Sequence, residues 1–248
     1  MTKSTAALCI LHLVGDALIL WLGYVWLGMG ESDMLHLSFS ALVVALFACC
    51  SVWLHGTAFV HFDAAAGPSL RRASAVALRH LPPLLALAVF ACVVYALLAW
   101  LYWSLGRPAF VIGSYLTMLF RKPVPPARVL DVFHALIWLL RWLVTPALLV
   151  PIAARISVAG WQGFRFSRQS KRALYWIQVC LLLLCAIWLP GKLLAWIPGM
   201  PNFGAEMASF LIRLAIAYLL FAGVLLAIEW RTAGGRPVLT QPSTSSTP

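Results

Sequence analysis

Long apolar runs separated by short polar connections occupy most of the chain. A helix that crosses a bilayer needs about 20 mostly apolar residues, and six stretches meet that length. They cover residues 6–29, 35–60, 84–105, 130–152, 173–194 and 208–228. We therefore predict an all-α integral membrane protein in which residues 1–230 form a polytopic bundle of six transmembrane helices.

Two of the connections carry helical patterns that are too short to cross a bilayer. Residues 63–81 contain Ser69, a candidate helix cap, followed by mixed basic and apolar positions that favour an amphipathic helix at the membrane surface. Residues 106–129 contain the apolar segment Phe110–Phe120, which predicts a short interfacial or re-entrant helix. Residues 231–248 lack apolar residues to bury and predict a disordered cytoplasmic tail.

Composition supports the membrane interpretation and argues against a soluble protein that binds nucleic acid. Hydrophobic residues make up 63% of the chain and charged residues 10%, whereas soluble domains carry about 25% charged residues. The net charge of +11 would suggest a nucleic-acid partner in a soluble protein. Here Lys and Arg in loops that face the cytoplasm and anionic lipid explain that charge, so we expect the lipid bilayer as partner and no nucleic acid.

The distribution of Lys and Arg predicts the orientation. With the N-terminus inside, eleven of the 18 basic residues lie in cytoplasmic segments, five in outer segments and two within spans. The cytoplasmic set is Lys3, Arg71, Arg72, Arg79, Arg155, Arg165, Arg168, Lys171, Arg172, Arg231 and Arg236. The positive-inside rule then places both termini in the cytoplasm. The compact layout, with helices and no soluble domain, favours a bacterial inner membrane.

The fourth predicted span contains the most unusual polar pattern. An arginine at the middle of a span costs about 3 kcal/mol on insertion scales, and Arg141 holds that position. Asp131, His134 and Arg141 share one helical face with Trp138 and Thr145. This face is therefore expected to point at other helices and not at lipid.

Asp16 is the candidate partner for Arg141, because it lies near the middle of the first span at a similar depth. We hypothesise an intramembrane ion pair that either fixes helix packing or lines a polar cavity for a substrate, a lipid headgroup or protons. Arg213, in the outer half of the sixth span, could join Asp131 and His134 or extend to the membrane surface.

Two histidines could also approach one another. His12 lies four residues before Asp16 on the same helical face, and a hairpin of the first two spans would bring His55 near it. Imidazoles bind metals, and two axial histidines can hold haem. No HExxH motif or second histidine pair accompanies them, so the pattern favours hydrogen-bonded histidines. We predict no cofactor and keep His12 and His55 as candidate metal ligands.

The sequence contains no P-loop, no GxGxxG, no GxSxG and no paired carboxylates. We therefore expect a non-enzymatic binding, transport-related or assembly component with a polar interior. One alternative is a transporter or channel for a small anion or lipid-like solute that uses Arg141 and Arg213. Another is a membrane redox or metal-dependent enzyme that uses His12 and His55. Small residues such as Gly15 allow close packing within the chain, with a membrane-protein partner or with a second copy.

Overall fold

The computed structural model describes residues 3–29, 33–63, 69–164, 173–199 and 202–234, and these ranges form helices without β-strands. The helices are α1 (Lys3–Leu27), α2 (Met34–Phe62), α3 (Leu70–Arg79), α4 (Leu81–Ser104), α5 (Gly106–Phe120), α6 (Pro126–Leu139), α7 (Thr145–Ala159), α8 (Ala173–Ala195) and α9 (Phe203–Gly234). The helices α1, α2, α4, α8 and α9, with a continuous helix that contains α6 and α7, are long and apolar enough to cross a membrane. The six predicted spans and the all-α fold class are confirmed.

Helices also form in both connections where short ones are expected. In α3 the buried residues are Ala73 and Ala77, one turn apart, while Arg71 is exposed, as amphipathic spacing requires. The expected cap by the Ser69 hydroxyl is wrong, because that side chain makes no capping hydrogen bond. Only its carbonyl engages the helix, by accepting from the Ala73 N–H at 3.0 Å.

The fourth span is one helix with a change of register. Residues Leu140–Val144 form a π-helical turn between α6 and α7, closed by a hydrogen bond from the Thr145 N–H to the Leu140 carbonyl. Pro146 follows at once, and proline has no N–H for the regular α-helical bond. The wider turn absorbs that loss. The polar stripe expected from Asp131 to Thr145 assumed unbroken α-helical spacing, and the π turn interrupts it.

Most of the buried residues lie in the half of the bundle that contains the start of α1 and the end of α9, which we call the terminal end. Three buried clusters lie there, contributed by α2, α4, α7, α8 and α9. They comprise Ala147, Tyr175, Val179, Leu183 and Ile228; Phe59, Ala154 and Ala233; and Leu84, Leu87 and Ile156. Helix α9 reaches Gly234, four residues into the segment predicted as a tail, and residues 235–248 lie outside the described ranges.

Helices α1 and α2 form a close hairpin beside this core. A Cβ atom on Gly15 would lie 2.8 Å from a Leu54 methyl group, so the absence of a side chain lets the two helices approach. At the opposite end of the bundle, the indole rings of Trp100, Trp103 and Trp196 are exposed. Exposed tryptophans at helix ends are typical of a membrane interface.

Candidate intramembrane His–carboxylate site

Four ionisable side chains converge inside the terminal end of the bundle. Helix α1 contributes His12 and Asp16, α2 contributes His55 and α9 contributes Glu229. His12, Asp16 and Glu229 are 0%, 4% and 3% exposed. Buried charges must be paired or coordinate a metal, so the contacts within this cluster determine what it can do.

Helix geometry brings the four residues together. His12 and Asp16 are four residues apart and share one face of α1, which packs against both α2 and α9. The antiparallel return of α2 carries His55 back to the depth of His12, where the two ring centroids are 5.4 Å apart. The last two turns of α9 place Glu229 on the other side of both rings.

Glu229 faces one nitrogen of each histidine. Its Oε1 lies 2.6 Å from His55 Nδ1, and its Oε2 lies 3.5 Å from His12 Nε2. An ionised carboxylate can only accept hydrogen bonds, so at 2.6 Å His55 Nδ1 donates to Glu229, and Nε2 of a neutral His55 is left as an acceptor. His12 lies at similar distances from both carboxylates, 3.4 Å from Asp16 and 3.5 Å from Glu229, so either of its nitrogens can carry the hydrogen.

His12 Nδ1 and His55 Nε2 both face Asp16, which is an acceptor when ionised. His12 Nδ1 lies 3.4 Å from Asp16 Oδ2, and His55 Nε2 lies 4.0 Å from Asp16 Oδ1. With the hydrogen of His12 on Nε2, two imidazole lone pairs and a carboxylate converge without a donor between them, and with that hydrogen on Nδ1 the one donor is 3.4 Å from Asp16. Within the described ranges, His12 Nε2 and Glu229 Oε2, both buried, also lack a hydrogen-bond partner, since the 3.5 Å between them is too long for a good one. The arrangement calls for a cation, either a proton or a metal ion.

The geometry fits a small metal ion. Ligand atoms of His12, Asp16 and His55 lie within 4.8 Å of one another. Metal bonds of about 2.0–2.2 Å would place two tetrahedral ligands about 3.4 Å apart, close to the observed separations of 3.4 and 4.0 Å. Glu229 would then hold the far nitrogen of His55, the usual role of a carboxylate behind a ligating histidine. Haem fits poorly, because the two ring centroids are only 5.4 Å apart and Asp16 lies within 4.0 Å of a nitrogen of each ring.

A cavity of about 320 Å³ adjoins the cluster. Its walls come from α2, α4, α7, α8 and α9 and are almost entirely apolar, with Val52, Leu87, Leu149 and Leu225 among them. His55 and Glu229 line it as well and supply its ionisable groups. The side chain of His55 is 31% exposed, in contrast to the rest of the cluster.

The structure does not join Asp16 to Arg141. Among the described residues Asp16 pairs with His12 and His55, and no ion pair links it to the arginine. Arg141 lies in the π turn, with its guanidinium carbon 5.2 Å from the Trp142 ring centroid and 5.9 Å from that of Tyr95. Similar depth did not imply contact, because α1 packs against α2, α3 and α9.

Arg213 has a different role from the one considered. Its guanidinium donates to the carbonyls of Leu193, Leu194 and Trp196 at the C-terminal end of α8, and it is only 6% exposed. These are carbonyls that a helix end leaves without backbone partners, so Arg213 ties α9 to α8.

The remaining members of the expected polar interior also lie apart from the cluster. His134 stacks on Tyr102, with the ring centroids 3.9 Å apart. Asp131 is exposed on α6. The expected single interior of Asp16, Arg141, His134, Arg213 and Asp131 is therefore distributed over separate places in the bundle.

Sequence reasoning missed Glu229 because the predicted sixth span stopped at Ile228. A usable signal was present: Trp230 follows the acid directly, so Glu229 interrupts an apolar run within the helix. An antiparallel bundle with both termini at one end would also have put it at the depth of His55. No protein-family model, curated protein or solved structure matches the chain.

Proposed function

We propose that this protein is a metal-binding component of a bacterial inner membrane, with a transition-metal dication such as zinc held by His12, Asp16 and His55. The observation that carries the proposal is the convergence of one nitrogen from each imidazole and the Asp16 carboxylate, with ligand atoms within 4.8 Å of one another in a buried place. Imidazole and carboxylate ligands together suit zinc, iron and related divalent ions.

Charge balance supports a dication. With both carboxylates ionised and both imidazoles neutral, the cluster carries two negative charges in a buried place. Burying an ion costs several kcal/mol unless another charge compensates it. One divalent metal ion neutralises the cluster and satisfies the acceptors that face Asp16.

The number of protein ligands indicates a site that binds a further molecule, as opposed to a purely structural metal site. Structural zinc sites are usually closed by four protein ligands, whereas three protein ligands leave a position open for another molecule. This fits the expected binding or transport-related component and also the alternative of a metal-dependent enzyme. The alternative of an anion transporter has less support, because the α8 carbonyls already engage Arg213.

Metal analysis of the full chain, purified in detergent, tests the proposal. After chelator treatment, titration with Zn²⁺ should give one ion per chain. Asp16→Asn and His55→Ala should remove that binding, whereas His36→Ala should keep it, because His36 pairs with Asp33 at the far end of α2. If the wild-type chain bound no metal at one equivalent, protons would have to balance the cluster and the metal proposal would fail.

The proposal also includes a six-span topology with both termini in the cytoplasm, supported by the excess of Lys and Arg in the cytoplasmic segments. A membrane-protein partner or a second copy of the chain remains a prediction that rests on the small-residue faces.

A further inference from the structure

We propose that the cavity beside His55 and Glu229 binds the hydrocarbon chain of an uncharged single-chain amphiphile, whose hydroxyl head donates to Glu229. This deepens the proposed function, on which it rests, because the head would lie beside the open position of the metal site. The ligand class is that of a long-chain alcohol, with either a straight or a branched chain.

The cavity walls select an apolar chain. Side chains from five helices line it, among them Val52, Phe59, Leu149 and Leu183. A buried water needs two to four polar partners, and most of this lining offers none. The volume of about 320 Å³ is at the lower end of the range of small-molecule sites, about 300–1,000 Å³, so one chain fits better than two.

The polar end selects the head group. Glu229 Oε2 is buried and has no hydrogen-bond partner in the described part of the chain, so a hydroxyl proton would complete it. His55 is the most accessible member of the cluster and lines the same cavity. Glu229 is the carboxylate that lines the cavity, and its charge next to the head group disfavours an anionic head such as a fatty acid or a phosphate.

The membrane supplies such ligands. The helices that contribute most of the walls are long and apolar enough to cross a bilayer, so membrane lipids surround the cavity. A single-chain alcohol can leave the lipid phase without exposing its chain to water, because the cavity keeps that chain in apolar surroundings.

Photolabelling tests the inference on the full chain purified in detergent. Hexadecanol carrying a diazirine near its chain end should label peptides of α2 or α4, and unlabelled hexadecanol should compete at least tenfold better than palmitate. Ala88→Phe, which places a ring in the cavity wall, should reduce the labelling at least tenfold. Ala96→Phe, the same change at an exposed position of α4, should not. If Ala88→Phe does not fold, Ala91→Leu narrows the same wall less severely.

Two results would overturn the inference: labelling that Ala88→Phe leaves unchanged, or equal competition by palmitate. Zinc stoichiometry is measured on the same variants and separates this inference from the proposed function. Ala88→Phe should still bind one Zn²⁺, since it alters no ligand. A wild-type chain that bound the alcohol but no metal would refute the metal site and leave the cavity assignment in place.

Discussion

Glu229 is the residue on which the arrangement of the cluster depends most. Its two oxygens face one nitrogen of each histidine and so determine which nitrogens face Asp16. We predict that Glu229→Gln lowers the affinity for Zn²⁺ by about 10–100-fold, the usual effect of losing a carboxylate behind a ligating histidine. Competition with a chromogenic chelator measures the affinity. Glu206→Gln, at the exposed start of α9, is the matched control.

An unchanged affinity in Glu229→Gln would show that the carboxylate does not orient the histidines. A complete loss, equal to that in Asp16→Asn, would make Glu229 itself a ligand and would require a rearranged site.

Asp33 allows a second prediction at this scale, outside the membrane-spanning helices. The backbone N–H of His36 donates to the Asp33 carboxylate at 2.9 Å, and the His36 side chain adds a further contact. Both hold the pKa of that carboxyl below its usual range. Because the folded pKa is lowered, the cap stabilises the start of α2 at neutral pH and is lost as pH falls below about 4.

Carbon NMR of the Asp33 carboxyl, titrated in detergent, should give a pKa below that of the same residue in an unstructured peptide. His36→Ala should raise the pKa only partly, because the backbone bond remains. A value equal to that of the peptide would mean that the carboxylate does not cap α2.

Part of the site could be predicted from single residues and part could not. His12 and Asp16 are linked by helical spacing, and the hairpin turn brings His55 within reach of them. The partner of Asp16 was predicted wrongly, because depth in the membrane says nothing about which helix lies alongside. That choice depends on packing, such as the approach of α1 to α2 at Gly15, and on the path of α9, which is remote in sequence.

Among the helices, one arginine ties the C-terminal end of α8 to α9. Arg213 donates to carbonyls at the C-terminal end of α8, which the helix end leaves without backbone partners. We predict that Arg213→Met lowers the free energy of unfolding by roughly 1–3 kcal/mol. Arg213→Lys should recover part of this. Arg128→Met, at an exposed position on α6, should have little effect.

Thermal unfolding in detergent, followed by the increased reaction of the half-buried cysteines with a fluorescent thiol probe, measures these differences. Equal midpoints for Arg213→Met and Arg128→Met would show that the α8 carbonyls do not need the guanidinium.

The short turn that follows α7 and ends at Gly163 requires its backbone to come close to the backbone of α7 at Ile156. A Cβ atom at Gly163 would lie 2.5 Å from the backbone nitrogen of Ile156, and no side-chain movement can relieve that contact. We predict that Gly163→Ala lowers stability by at least about 2 kcal/mol, as substitutions that force a backbone shift do. Gly191→Ala, inside α8 with open space around it, should be neutral or slightly stabilising.

The same thermal assay compares the two alanine variants, and a Gly163→Ala protein as stable as Gly191→Ala would contradict the tight turn.

Contacts such as that of Gly163 with Ile156 cannot be predicted from the sequence, where both glycines look alike. The six spans were readable, because apolar length alone identifies them. The π turn could be predicted only in part. Pro146 indicated an irregularity in the helix, but the wider turn that accommodates it depends on the local hydrogen bonds.

For the whole molecule, the number of membrane crossings decides whether the two termini, and the cluster near them, lie on one side of the membrane. Helix α5 has 15 residues and is therefore about 22 Å long, shorter than the roughly 30 Å of the hydrocarbon core. It also packs against the start of α6, where a Cβ on Gly113 would lie 3.2 Å from the Pro126 Cα. We therefore predict that α5 folds back on α6 without crossing, which leaves six spans and both termini on one side.

Reporter fusions test this topology in bacterial cells. A fluorescent protein that matures only in the cytoplasm should be bright at either terminus of the full chain, and periplasmic alkaline phosphatase should be inactive at both. Inserted between Leu105 and Gly106, the phosphatase should become active. A bright N-terminus with an active phosphatase at the C-terminus would mean an odd number of crossings, with α5 as a seventh span. Two periplasmic termini would reverse the orientation, and the metal site would then open toward the periplasmic half of the membrane. In that case the five basic residues that oppose the predicted orientation would have outweighed the cytoplasmic set; they are Arg107, Arg121, Lys122, Arg128 and Lys192.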